Sequence, residues 1–282
     1  MSRYDTTVKI DGATLQHGPN NRRVYLMKLG KAPLDSLYEK ILDLADRGDY
    51  EKLCLKIPRS RASYFKAKGF QEEASVPGFY NGREEGVFLG KFLCSKRMAL
   101  GDPSELDRIL TIAKTKNGLD NCEKINRNSS QIRKMGKNQV EEMASLYRQV
   151  FPSYPFPIDQ PEYLAQTMES HIHYFGIHRR GSLIALSSAE SDTEARNVEM
   201  TDFATLPEYR GQGLAQSLLD HMEKYMADRG YITAYTIARA ASPGMNITFS
   251  RLGYTFGGRL VNNTQISGRI ESMNVWYKTL SL

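Results

Sequence analysis

The stretch Thr205-Leu206-Pro207-Glu208-Tyr209-Arg210-Gly211-Gln212-Gly213-Leu214-Ala215 constrains this chain more than any other. It follows a strand-like run, Val198 to Ala204, and leads into Leu214, Leu218, Leu219, Met222 and Tyr225, whose spacing puts them on one face of a helix. Pro207 lacks the N–H that a sheet ladder needs, so the strand ends there. Gly211 and Gly213 carry no Cβ, which lets backbone approach a ligand closely. The first N–H groups of the following helix have no intrahelical acceptor and sit at the positive end of its dipole. Together these features describe an anion site suited to a pyrophosphate. Glycines before a helix also serve as plain tight connections, so the whole pattern carries the weight. It is not a Walker loop, which needs Gly-Lys-Ser/Thr, nor a dinucleotide fingerprint, whose third glycine would fall on Gln216.

Arg210-x-x-Gly213-x-Ala215 behind a strand resembles the acyl-CoA loop of the GNAT acetyltransferase superfamily. The resemblance implies acetyl-CoA as co-substrate, with its pyrophosphate on the loop amides and the next helix central to the fold. It places the cofactor against Phe203, Ala204 and Thr205 at the strand end, against Arg210, Gly211, Gln212, Gly213, Leu214 and Ala215 in the loop, and against Asn246. A helix cap after Pro243-Gly244 is the other reading of Asn246.

With 282 residues, 40% apolar and 25% charged, the chain has material for one large or two ordinary globular domains. A net charge of +6 suits an anionic ligand. No basic run with interleaved aromatics marks a nucleic-acid surface. Cys54, Cys94 and Cys122 lack metal-ligand spacing and fit a reducing compartment. His171 and His173 alternate without a third ligand, so no metal is expected. There is no signal-peptide core and no bilayer-length apolar stretch. The expectation is a cytoplasmic protein that binds neither nucleic acid nor membrane; oligomeric state is left open.

Residues 1–23 read as polar and turn-rich. A strand at Val24–Leu29, a helix capped by Asp35, a strand at Leu53–Ile57 and a short helix capped by Ser60 follow. Phe70–Val76 and Val87–Leu93 read as a hairpin through Asn81-Gly82. Asp102-Pro103 opens a third helix, and the polar run Asn117–Ser130 reads as a linker. From a strand at Ile132 onward the order is α-α-β-β-β-α-β-α-β-β, with Asp159 capping the second helix, and this is the GNAT order. The expected class is α/β in the α+β sense. A GNAT fold with a mixed, mostly antiparallel sheet flanked by helices occupies residues 131–282, and a smaller α/β domain occupies residues 1–125. Residues 53–93 echo residues 232–279 as strand, short helix, Gly-aromatic and hairpin. A partial GNAT-like half without the CoA loop and generic α/β grammar both remain open for the first domain.

Further segments carry a narrower resemblance. They are His17-Gly18-Pro19-Asn20-Asn21-Arg22-Arg23-Val24-Tyr25-Leu26-Met27-Lys28-Leu29, Pro77-Gly78-Phe79-Tyr80-Asn81-Gly82, Phe151-Pro152-x-Tyr154-Pro155-Phe156-Pro157-Ile158 and Glu199 through Gly211. From about Thr14 to the C-terminus the chain resembles the β-lysine Nε-acetyltransferase family of bacteria and methanogens. The resemblance implies the side-chain amine of β-lysine as acceptor and Nε-acetyl-β-lysine, a compatible solute of osmoadaptation, as product. A lysine 2,3-aminomutase would supply the acceptor. Two alternatives stand beside this: an acetyltransferase of a polyamine or of protein lysine, and a CoA-binding regulator without turnover.

Aminolysis of a thioester needs a neutral amine, and a lysine-type amine has a pKa of about 10.4. A carboxylate that takes the proton contributes roughly 10²–10⁴-fold. Glu199 and Asp202 lie on the strand that feeds the loop, and simple alternation puts them on opposite faces. In GNAT relatives the position eleven before the loop arginine often faces the acceptor, which here is Glu199. Glu199 is therefore the expected base, Asp202 the substitute. Many GNAT enzymes carry a tyrosine general acid five residues before the Gly-aromatic of the last helix; here that position is Phe249, and neither Ser250 nor water is assigned in its place. Tyr154 and Phe156 are expected to wall the acceptor slot. An arginine suits the acceptor's carboxylate, and Arg22, Arg23, Arg83 and Arg239 are not distinguished.

Overall fold

A computed structural model describes residues 4–31, 33–99, 101–118 and 132–280. Most of the expected linker and the boundary near residues 125–131 lie outside these residues. Thirteen described strands form one continuous sheet in the order β1-β2-β3-β4-β6-β5-β12-β13-β11-β10-β9-β8-β7.

The first half contributes β1 (Thr6–Ile10), β2 (Ala13–Gly18), β3 (Arg23–Lys28), α1 (Leu34–Arg47), β4 (Lys52–Pro58), α2 (Ala62–Ala67), β5 (Gln71–Tyr80) and β6 (Glu84–Phe92). Within the start read as polar and turn-rich, β1 and β2, strands that the sequence reading did not assign, form a hairpin across Asp11-Gly12, both with positive φ, the turn that an Asp-Gly pair favours. Asp35 and Ser60 do not cap their helices; α1 starts after Pro33 with Asp35 in its first turn, and a single 3-10 turn precedes α2. After α3 (Ser95–Met98), α4 (Pro103–Lys114) begins as expected, with Asp102 accepting from the Glu105 amide at 3.0 Å.

The second half contributes β7 (Ile132–Lys134), α5 (Val140–Val150), α6 (Pro161–Ser170), β8 (Ile172–Arg179), β9 (Ser182–Asp192) and β10 (Asn197–Thr205). Gln160, not Asp159, sits at the start of α6. Then come α7 (Leu214–Ala227), β11 (Thr233–Arg239), α8 (Pro243–Arg251), β12 (Thr255–Ile266) and β13 (Arg269–Thr279).

The strand order of the first half repeats in the second. β1-β2-β3-β4-β6-β5 corresponds to β8-β9-β10-β11-β13-β12, and β3–β4 and β10–β11 are both parallel pairs. Local details repeat as well. Arg22 and Arg196 both have positive φ, and each carbonyl accepts from the residue just before the parallel neighbour strand, Glu51 before β4 and Ile232 before β11, at 2.8 Å. The β5–β6 and β12–β13 hairpins carry bulges at equivalent places. The halves meet where β5 pairs antiparallel with β12 through Ala74 and Gly258, which are counterparts of one another, as an approximate two-fold axis requires.

The first half covers one sheet face with its helices, whereas in the second half α7 and α8 cover one face and α5 and α6 the other. Val24, Leu26, Leu53, Leu55 and Ile57 pack with Leu37, Ile41 and Phe65 in one core. Val198, Met200, Leu218, Leu219, Met222 and Trp276 belong to another. The alternate residues of β3 and β4 are polar or aromatic: Arg23, Tyr25, Lys52, Cys54 and Lys56. This row faces the second half: Lys56 reaches the Tyr235 hydroxyl at 2.9 Å and Cys54 Sγ donates to Asn263 Oδ1 at 3.0 Å, while Lys28, at the end of β3, pairs with Asp192 at 2.7 Å.

Where the halves meet, the backbones approach closely at Gly257 and Gly258. A Cβ on Gly258, whose φ is +142°, would lie 2.3 Å from the Glu73 carbonyl oxygen, and one on Gly257 would lie 2.5 Å from that of Ser75. Gly258→Ala is therefore expected to destabilise the protein by about 2–4 kcal/mol in urea unfolding. A loss below roughly 0.5 kcal/mol, the scale of a neutral surface change, would show that close approach at this seam is not required.

Candidate active site

The sequence between β10 and α7 folds as its glycines dictate. Pro207–Tyr209 makes a 3-10 turn, Arg210 is extended, and Gly211 and Gly213 take φ of +77° and +78°. Gly213 is the N-cap of α7 and supplies no side-chain cap, so the first amides of the helix face outward. Arg210 Nε donates to the Thr205 carbonyl at 3.2 Å, tying the loop to the strand end. Arg179 Nη1 donates to Gln212 Oε1 at 2.8 Å.

From this helix start a cavity of about 600 Å³ runs into the molecule, a size ordinary for a small-molecule site. It opens because β10 and β11 pair only from Asn197–Thr233 to Glu199–Tyr235. Beyond that point Thr201, Phe203 and Thr205 form one wall and Thr236 to Arg239 the other. Arg210, Gly211, Gly213, Leu214 and Ala215 line its mouth, and Tyr154 and Phe156 line its inner end. The far wall comes from the first half: Arg23, Tyr25, Met27 and Lys56.

Glu199 and Asp202 line this same cavity, contrary to the opposite faces expected from alternation. The cause is a bulge. Between Thr201 and Ala204 strand β10 advances one residue more than β9, and Asp202 takes φ of +55°, which resets the side-chain alternation.

The two acids differ in environment. Asp202 accepts from Tyr154 at 2.5 Å and Thr201 at 3.4 Å on Oδ1, and from Ser188 at 2.5 Å on Oδ2. Burial still lifts its carboxyl above the usual range. Its acceptor positions are occupied and it fixes Tyr154. Glu199 is pushed up to about 7, chiefly by burial, with the Lys56 ammonium and a hydrogen bond from Tyr235 opposing and the Glu190 carboxylate adding to the rise. A carboxylate poised near neutrality inside a cavity is what general-base chemistry asks for.

Other expected site residues fall outside the cavity. Asn246 does not line it: its Nδ2 donates to the carbonyls of Arg239 and Ser242, and its Oδ1 accepts from Asn274 and Trp276. It locks the start of α8 to β13, so the helix-anchoring reading replaces cofactor contact. Ala204 is buried in the core beneath the wall, and Gln212 is held by Arg179. Phe249 lines the cavity edge-on to Phe203, whereas Ser250 Oγ is buried away from it.

Glu190, Tyr235, Tyr25 and Lys56 escaped the sequence reading. The available signal was the in-phase polar row on β3 and β4, where Arg23, Tyr25, Cys54 and Lys56 interrupt otherwise apolar strands. Among the described residues no His, Cys, Asp or Glu cluster is arranged to hold a metal ion, and no helix is long and apolar enough to cross a membrane.

The acetyltransferase (GNAT) family matches residues 140–254, which include the loop, Glu199 and Asp202. Similarity extends beyond that span. A β-lysine N(6)-acetyltransferase from Methanococcus maripaludis is 36% identical over 271 residues, 96% of this chain and 97% of that protein. One of the same name from Methanosarcina mazei is 44% identical over 138 residues, 49% of this chain and 51% of that protein. The N-acetyltransferase YodP from Bacillus subtilis is 31% identical over 280 residues, 97% and 99% of the two chains.

The charges around Glu199 set its titration, and their removal is expected to move it in opposite directions. In carbon-detected NMR titrations Lys56→Met should raise the Glu199 midpoint above about 7, and Glu190→Gln should lower it. Unmoved midpoints in both variants would show that these neighbours do not act on it.

Proposed function

The chain belongs to the GNAT acetyltransferase family, alongside the β-lysine N(6)-acetyltransferases, and on that premise we propose that it transfers an acetyl group from acetyl-CoA to the side-chain amine of β-lysine. One observation carries the reading: a single cavity joins an uncapped helix start to a chamber where Glu199 titrates near neutrality.

The residues at the mouth fit the donor. Gly211 has no atom within 4 Å of where a Cβ would stand, and Gly213 leaves the first amides of α7 free for a pyrophosphate. Acetyl-CoA supplies an activated acetyl group, whose bond to sulfur breaks as the bond to the amine nitrogen forms.

The chain's own groups do the rest. The acceptor arrives with two ammonium groups and one carboxylate. Glu190, which, against the opposing effect of burial, the His171 imidazole and the Lys56 ammonium hold below the usual carboxylate range, offers a negative charge for the ammonium that does not react. Glu199, once ionised, receives the proton that the reacting amine gives up. Tyr154, held by Asp202, and Phe156 wall the chain between these ends and keep water out. No hydroxyl stands at Phe249 to protonate the departing thiolate. A thiol pKa of about 8.5 makes that thiolate a stable leaving group without one.

The enclosed acceptor end, closed on one side by the first half, suits a small amine better than a lysine on a protein surface. In the cytoplasm the product, Nε-acetyl-β-lysine, would serve as a compatible solute, with a lysine 2,3-aminomutase supplying the acceptor. The deciding experiment is release of free CoA from acetyl-CoA with β-lysine, spermidine and a lysine peptide offered separately. Turnover with β-lysine alone supports the proposal. Turnover only with another amine, or binding without turnover, refutes it.

Two variants separate base from cofactor loop. Glu199 serves as a base only when ionised, so kcat/KM is expected to rise with pH through about 7. Glu199→Gln should remove that limb and lower kcat by about 10²–10⁴-fold at neutral pH. The deficit should shrink as pH approaches the amine's own pKa, and a wild-type pH profile in the variant would exclude the role. Gly213→Val instead forces a branched side chain into a φ of +78° at the helix start. Calorimetry should show weakened acetyl-CoA binding, and unchanged affinity would remove the loop assignment.

A further inference from the structure

The far wall of the cavity holds a buried guanidinium. Arg23 is only 4% exposed and lines the cavity. Its Nη1 donates to the Asn263 carbonyl at 2.5 Å and to Thr264 Oγ1 at 3.1 Å, both neutral acceptors. Its Nε is buried with no hydrogen-bond partner. Among the described residues no carboxylate forms an ion pair with it. A buried guanidinium lacking both an anion and one of its hydrogen bonds is costly to the folded protein, which calls for a compensating ligand.

The other arginines differ. Arg22 is exposed and pairs with Asp49 and Glu51, each at 3.3 Å. Arg83 is exposed on the β5–β6 turn. Arg239 lines the cavity, but its fork is spent on Glu271 through bonds of 2.8 and 2.7 Å.

The surroundings of Arg23 are those of a positioned binding group. The Tyr25 ring lies 4.9 Å from its guanidinium carbon. Tyr25 follows two residues along the same strand, so both side chains leave β3 on one face. Tyr25 in turn lies within electrostatic reach of Glu199 and Glu190. The cavity therefore sets the cation Arg23 apart from a group made of Glu190, Glu199 and the Lys56 ammonium between them, a cationic pole for a carboxylate and a net anionic one for ammonium groups.

We infer that the unpaired Nε edge of Arg23 binds the carboxylate of the acceptor, and that this residue of the first half selects amino-acid acceptors over plain diamines. The inference rests on the acceptor reading above. A planar guanidinium presents two parallel N–H donors to a carboxylate, a match that neither an amide nor a methylene can make. An acceptor without the carboxylate leaves the buried donor unpaired and is rejected for that reason.

Steady-state kinetics of the full-length protein with β-lysine, its carboxamide and 1,4-diaminopentane, which keeps the amine spacing and lacks the carboxylate, test it. In the wild type, kcat/KM for β-lysine is expected to exceed that for either analogue by about 10²-fold, mainly through KM. In Arg23→Gln the ratio should collapse toward unity, and Arg23→Lys, which keeps the charge but not the fork, should fall between. A purely structural role would lower all three substrates together and leave the ratio intact. A wild type that turns over β-lysine without discriminating, or an Arg23→Gln variant that discriminates as the wild type does, overturns this inference alone. A wild type that ignores β-lysine refutes it and the proposed function together. Should Arg23→Gln not fold, the wild-type ratio and Arg23→Lys still decide.

Discussion

The buried Lys52 ammonium holds the two halves of the molecule in one sheet. Its side chain is fully buried, and Nζ donates to both oxygens of Glu73, at 2.9 and 2.8 Å, and to the Val261 carbonyl at 2.6 Å. Glu73 completes the arrangement by accepting from the Val261 amide at 2.8 Å. One ion pair thus ties β4 and β5 of the first half to β12 of the second. Losing either partner would strand a buried charge, a change that costs about 3–5 kcal/mol. Arg97 reinforces the joint from the rim, donating to Asn262, Glu51 and Asn21. Without this seam Arg23, Tyr25 and Lys56 would not face Glu199.

The repeated topology explains how one architecture performs two tasks. In each half a parallel strand pair lies beneath a helix; the other sheet face carries α5 and α6 in the second half and no helix of its own in the first. In the second half the divergence, the glycine loop and the uncapped helix α7 form a cleft with free amides at its mouth. In the first half α1 follows Pro33 with no such loop, and the free face carries Arg23, Tyr25 and Lys56 instead. The approximate two-fold axis turns that face toward the splayed strands of the second half. On the proposed function, one copy would supply the cofactor cleft and the other would close the acceptor chamber.

Several elements were legible because their signals are local. The loop from Pro207 to Gly213, the Asp102-Pro103 helix start and the Asn81-Gly82 turn each rest on backbone constraints within a few residues. The β1–β2 hairpin shows the same physics overlooked, since Asp11-Gly12 between alternating apolar residues is an ordinary turn signal. Asp202 illustrates the opposite case. Its place beside Glu199 depends on a bulge set by pairing with β9, and nothing in Met200-Thr201-Asp202-Phe203 announces an extra residue. Asn246 likewise resembled a cofactor contact until β13 brought Asn274 and Trp276 to its side-chain oxygen.

By itself the sequence determined where the chain must turn, which stretches become strands and helices, and where an anion can meet free amides. These follow from φ limits, missing N–H groups and hydrophobic period, all short-range properties. Only the tertiary structure decided which polar groups share the cavity. Arg23 and Glu199 lie far apart in the chain and on strands that are not neighbours in the sheet. Their meeting depends on the close approach at Gly257-Gly258 and the ion pair at Lys52. The charge that each presents is then set by burial and by neighbours from the other half, which sequence spacing does not encode.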